Sequence, residues 1–169
     1  MILLIQMIFF LLAYVKRTDK FTDLAYSGMF VAVVIWLFMH STQTLFHRIL
    51  LVVVLAWGVR LLVYLMVRII VIGKDDRFDE MRDRPLALLA FRLMQGTGIW
   101  IILFPVIAAM RDTAGGEITW VSWCGLLIRL IGWSIESIAD MQKFRAKRRH
   151  PQRWVDTGLW RRARHPNYF

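Results

Sequence analysis

The chain has 169 residues, 58% of them hydrophobic, and a mean hydropathy of +0.51. A soluble domain of this length cannot hide so much apolar surface, so composition points to the membrane class. The net charge of +10 does not mark a nucleic-acid-binding face, because the cations sit between long apolar runs; their anionic partner is lipid headgroup or a phosphorylated cofactor.

Five apolar segments follow in chain order, over 2–15, 22–40, 49–72, 86–110 and 119–142. The first, beginning MILLIQMIFFLLAYVKR, lacks a basic n-region and an A-x-A cleavage site, so it reads as a membrane segment and not a signal peptide. It is short for a span of about 20 residues, whereas the other four are long enough to cross a bilayer of about 30 Å. Backbone groups in lipid must be satisfied internally, and no barrel-like alternation is present, so all five are predicted as helices. The expected fold is an all-α, polytopic membrane protein with about five transmembrane helices. Asp83 and Pro85 suit the start of the fourth helix. Pro105 is expected to kink it, and Gly115-Gly116 to turn the chain after it.

Charge in the connections alternates. Lys16, Arg17 and Lys20 follow the first segment, and only Arg48 the second. Lys74, Arg77, Arg82 and Arg84 follow the third, and only Arg111 the fourth. The tail carries Lys143, Arg145, Lys147, Arg148, Arg149, Arg153, Arg161, Arg162 and Arg164. The positive-inside rule puts the rich connections in the cytoplasm, hence the N-terminus outside and the tail inside. The implied organisation is a bundle over 1–142 and a basic cytoplasmic loop over 143–169, within one domain. In a bacterium the membrane is the inner one.

Ionisable residues interrupt the spans. Arg68 and Arg92 lie near cytoplasmic ends and are expected to snorkel. Arg60 and Arg129 lie deeper, where a charge costs about 2.5–3.5 kcal/mol on the gentler insertion scale. Glu136 and Asp140 are four apart and share a helix face. Arg129 lies two turns before them, and Lys143 and Lys147 continue the stripe. This is either structural glue between helices or a polar groove for an elongated ligand entering from the cytoplasm. Trp57, Arg60, Tyr64 and Arg68 form a second stripe, open to packing or to a pocket wall. The single cysteine, Cys124, excludes an internal disulfide and is expected to be a packing residue. No spacing suggests a metal site.

In the tail, Asp156-Thr157-Gly158 is a predicted turn, and Leu159 and Trp160 are expected to anchor at the membrane interface. Pro166 forces His165 out of helical geometry, so RHPNYF is expected as an extended corner that presents side chains. Arg and His suit phosphate oxygens, and Asn167 and Tyr168 add neutral donors and acceptors. The set fits a dinucleotide or another anionic adenosine cofactor.

The stretches ESIADMQKFR, GLW and RRARHPNYF, together with AWGVRLLVYLMVR and GKDDRFDEMR, resemble the steroid 5-alpha-reductase-like membrane proteins, in particular the branch called DUF1295. RHPxY alone is shared with isoprenylcysteine carboxyl methyltransferases; the ExxADxQ stripe favours the reductases. The resemblance implies a helical membrane fold that takes NADPH from the cytoplasmic side and reduces a carbon–carbon double bond in a steroid or other apolar lipid. It further implies that Glu136 and Asp140, with Lys143 next on their stripe, contact the cofactor from inside the bundle. Arg164, His165, Asn167 and Tyr168 would close over it. Tyr64 has the chemistry of a proton donor but matches no catalytic position of the family, so the catalytic group is unassigned. In that family the motif continues with Gly-Glu and further apolar helices, so the stop at Phe169 is expected to be that of a fragment, inactive alone. Two alternatives remain: a membrane methyltransferase using S-adenosylmethionine, and a non-catalytic membrane protein.

Overall fold

A computed structural model describes residues 5–8, 11, 20–72, 84–112 and 117–168. Among them every regular element is helical. Residues 5–8 are helical, and four long helices follow: α1 Lys20–Met39, α2 Leu45–Ile72, α3 Pro85–Arg111 and α4 Trp120–Arg149. Two short 3-10 turns, Gly158–Arg161 and Pro166–Tyr168, complete the tail. The last four predicted segments thus match α1 to α4. Most of the first segment lies outside the described residues, as do Lys16, Arg17, Lys74, Arg77, Arg82, Asp83 and Gly115-Gly116.

Three helices are long and apolar enough to cross a membrane, over Leu45–Val71, Pro85–Arg111 and Trp120–Arg149. At 1.5 Å per residue the shortest reaches about 40 Å, against a hydrocarbon core of about 30 Å. In α1 the apolar stretch is shorter, Ala25–Met39. Large apolar side chains face outward all along these helices, among them Ile70, Leu86, Met94 and Ile128. Such a surface is costly in water and at home in lipid. The chain is a helical membrane protein.

Pro85 opens α3 as expected, after Arg84 at the cap position. The helix runs on through Pro105 to Arg111.

The chain divides into two compact units, Met1–Gly116 and Glu117–Phe169. In the first, α1 packs on both α2 and α3. Its core joins Phe30, Val33, Val34 and Leu37 of α1 with Val54 of α2 and Ile99, Leu103 and Met110 of α3. Trp57 meets Phe30 edge to face, with ring centroids 4.9 Å apart. Of the second predicted stripe, Trp57 is therefore a packing residue, and the Arg60 guanidinium lies over the Tyr64 ring at 5.7 Å. Arg92 does not snorkel: it is fully buried. At one end of the unit His47, also fully buried, bridges two chain segments. Its Nε2 lies 3.0 Å from the Ala109 carbonyl oxygen, and its Nδ1 3.3 Å from Thr42 Oγ1. A carbonyl only accepts, so Nε2 donates to it.

Gly58 lets α1 and α2 approach closely. A Cβ placed there would lie 3.1 Å from Val31 Cγ2, and small residues at such contacts are what let helices pack in a membrane. Gly58→Leu is expected to destabilise this unit by about 1–3 kcal/mol through overpacking, read as a lower melting temperature in detergent. Gly58→Ala, whose single methyl needs only a small shift of Val31, should cost much less.

The second unit is α4 with the tail folded back on it. At its start Thr119 N–H donates to Ser122 Oγ at 3.3 Å, half of a capping box. The predicted border at residue 142 falls inside α4, which runs unbroken to Arg149. Lys147, Arg148 and Arg149 occupy its last turn, where cations complement the helix dipole. Cys124 is exposed, on a stretch whose Trp120, Trp123 and Leu127 are exposed as well. The expected packing residue is thus not buried within the unit, because this part of α4 turns its apolar side chains outward.

Candidate functional site on the last helix and tail

The buried residues of α4 are Glu136, Ala139 and Asp140. They are 9%, 0% and 4% exposed, on a helix whose other side chains are open or half-open. The two carboxylates are thus the sheltered part of the predicted stripe. Arg129 is half-buried and close enough to Glu136 to interact with it electrostatically, so those two residues share the face that their spacing implies. Lys147 is spent locally: its Nζ donates to the Pro151 carbonyl at 2.8 Å and holds the chain as it leaves the helix.

The tail returns to α4 through three long-range hydrogen bonds. Leu159 N–H donates to Gln142 Oε1 at 3.0 Å. The Trp160 indole N–H donates to the Ala139 carbonyl at 2.9 Å. Asn167 Nδ2 donates to Asp140 Oδ1 at 3.4 Å, near the long limit for such a bond. Gly158 makes the return possible. Its φ of +60° is left-handed, a region costly for residues with a Cβ. A Cβ there would also lie 2.5 Å from the Gln142 side-chain amide.

One expectation for the tail is not met, while the other gains detail. Trp160 is half-buried against α4, with the Lys143 ammonium 4.9 Å from its ring centroid. The indole body gains apolar contact there, and its N–H finds a helix carbonyl. RHPNYF is not an extended corner. His165 is non-helical, but Pro166–Tyr168 form a 3-10 turn with Pro166 buried, closed by Tyr168 N–H to the His165 carbonyl at 3.2 Å. Proline at the first helical position sacrifices no hydrogen bond, and the turn points Asn167 inward to α4.

The seven sequence-selected residues therefore divide. Asp140 and Asn167 touch, Glu136 is buried one turn away, and Lys143 follows on the same face over Trp160. His165 and Tyr168 stack on each other, with centroids 5.0 Å apart and planes 11° apart, on the exposed side of the turn. Arg164 is exposed beside them. Buried carboxylates and open cationic and aromatic groups thus lie on the two sides of one short turn.

Two buried polar atoms of this unit have no hydrogen-bond partner: Asn167 Oδ1 and Trp133 Nε1. The bond to Asp140 assigns Nδ2 to the carboxylate and so leaves Oδ1 as the open acceptor. Trp133 lies three residues before Glu136, on the neighbouring part of the same face, and its open atom is a donor. An unfilled buried group of this kind costs about 1–3 kcal/mol. Sequence reading missed Trp133, because tryptophan in a membrane helix reads as apolar filling. The signal available was its i, i+3 relation to an intramembrane glutamate.

The family model described as a protein of unknown function, DUF1295, matches residues 9–169. The chain belongs to the DUF1295 family. No curated protein and no solved structure matches it. The match takes in both parts of the site, so the buried carboxylates and the turn of this DUF1295 chain lie within the family's own extent.

Proposed function

We propose that this membrane protein is an NADPH-dependent reductase of carbon–carbon double bonds in steroid or other apolar lipid substrates, with the cofactor taken up at the α4–tail site. The observation that carries the reading is the Asp140–Asn167 contact with its open acceptor. The turn that the family resemblance makes a lid is hydrogen-bonded to the carboxylate that the resemblance makes a floor. It also keeps one buried acceptor, Asn167 Oδ1, unfilled, and Trp133 Nε1, three residues before Glu136, is a buried donor without a hydrogen-bond partner.

The residues fit such a group in kind. Asn167 Oδ1 and the two carboxylates accept hydrogen bonds, as ribose hydroxyls and a carboxamide N–H require. Arg164, His165 and Lys143 offer cations and donors to phosphate oxygens. When bound, NADPH supplies the hydride, and the protein supplies position and electrostatics. Docking of the tail holds Asn167 against Asp140 and covers the buried stripe, which limits water there. The tail lies on the cytoplasmic side, where NADPH is available, in the inner membrane if the host is bacterial.

The test is direct binding to the chain in nanodiscs, followed by nicotinamide fluorescence. NADPH is expected to bind more tightly than NADH, because a 2′-phosphate rewards the cationic groups. S-adenosylmethionine should not displace it. Binding of S-adenosylmethionine, read by calorimetry, with no NADPH signal would replace the reading by a methyltransferase. Binding of neither would leave the carboxylates as glue between helices.

A further inference from the structure

A second polar site lies on the far side of α4. Its C-terminal turns and the loop after it enclose an open pocket of about 390 Å³, within the size range of small-ligand sites. The lining includes Arg145, Arg149, Arg153 and His150, with Trp154 and one carboxylate, Asp156. Helical residues advance about 100° each, so Arg145 and Arg149 lie about 140–180° round α4 from Glu136. The pocket thus lies on another face of α4 from the Asp140–Asn167 contact, and meets the tail corner at Gln142, which also lines it.

We infer that this pocket binds the phosphate group of an anionic lipid headgroup. Three arginines and one aspartate line it, an excess of positive charge. All three arginines and His150 are exposed, and none of the hydrogen bonds that fix the tail to α4 uses them. Like charges gathered this way repel unless an anion joins them, and guanidinium is the side chain best suited to phosphate oxygens. Trp154 argues for a lipid as the source. It is 90% exposed, it lines the same pocket, and it follows directly on a helix able to span the membrane. Tryptophan favours the headgroup level, and basic clusters just beyond a span attract anionic lipid.

The experiment is native mass spectrometry of the full chain, delipidated in detergent and then offered phosphatidylglycerol, phosphatidylcholine or inorganic phosphate. Phosphatidylglycerol should remain bound to the wild type. Retention should fall at least about tenfold in the triple variant Arg145→Gln/Arg149→Gln/Arg153→Gln, the equivalent of one charge-assisted hydrogen bond. Phosphatidylcholine should distinguish the two proteins little. The arginines are exposed, so the variant should keep the wild-type melting temperature. Equal retention of phosphatidylglycerol by both proteins overturns the inference. Retention of inorganic phosphate without phosphatidylglycerol overturns the lipid source. A parallel loss of NADPH binding in the variant would merge the pocket with the dinucleotide site and overturn their separateness. Failure of NADPH to bind wild type leaves the lipid result unaffected.

Discussion

Asp140→Ala is expected to weaken NADPH binding about 10- to 100-fold. Asp140 is almost fully buried and accepts the Asn167 amide, so the substitution removes both a buried charge and the contact that seats the turn. Hydrogen bonds to charged groups contribute about 1.5–3 kcal/mol, and each 1.4 kcal/mol is about tenfold in affinity. Asp140→Asn separates the two effects, since it keeps an oxygen for Asn167 and removes only the charge. Its loss should be smaller. A binding isotherm with both variants decides the matter. Unchanged affinity in Asp140→Ala, with only a lower yield of folded protein, would make the stripe structural and sink the dinucleotide reading.

Gly158→Val should release the tail from α4. The native φ of +60° costs a β-branched residue more than the roughly 1–2 kcal/mol of an ordinary one. The new side chain would also push into the Gln142 amide, 2.5 Å from the Cβ position. That amide holds Leu159, and the Trp160 and Asn167 contacts follow within ten residues. Losing the first bond should therefore loosen all three. Limited trypsin digestion reads the outcome as much faster cleavage at Arg161, Arg162 and Arg164, with NADPH affinity falling in parallel. Gly158→Ala, with the backbone cost of an ordinary residue and a smaller side chain against Gln142, should lie between. Wild-type digestion of the Gly158→Val protein would show that the turn is held by something other than this corner.

The two experiments address different parts of the site, and the sequence was not equally informative about each. The Glu136–Asp140 stripe was legible because a helix has a fixed period: residues four apart share a face whatever surrounds them. The start of α3 at Pro85 was legible for an equally local reason. The fate of Trp160 was not. An indole seeks both apolar contact and a partner for its N–H, and nothing local in the sequence places the Ala139 carbonyl beside it. Trp133 was overlooked for the same reason, since nothing local marks an indole N–H as unfilled. Arg92 reversed its expected role because burial is set by the helices around it. Snorkelling depends on a free path to the interface.

By itself, then, the sequence determined the membrane class, the long helices α1 to α4 and the stripe of carboxylates. These follow from hydropathy and periodicity, which act over a few residues. Tertiary structure decided how the tail is used. Leu159 reaches back 17 residues to Gln142, Trp160 reaches 21 to Ala139, and Asn167 reaches 27 to Asp140. Contacts at such separation depend on the path of the whole tail, including the left-handed turn at Gly158. No local pattern encodes which side of α4 that path returns to, and that side separates the buried stripe from the arginine pocket behind it.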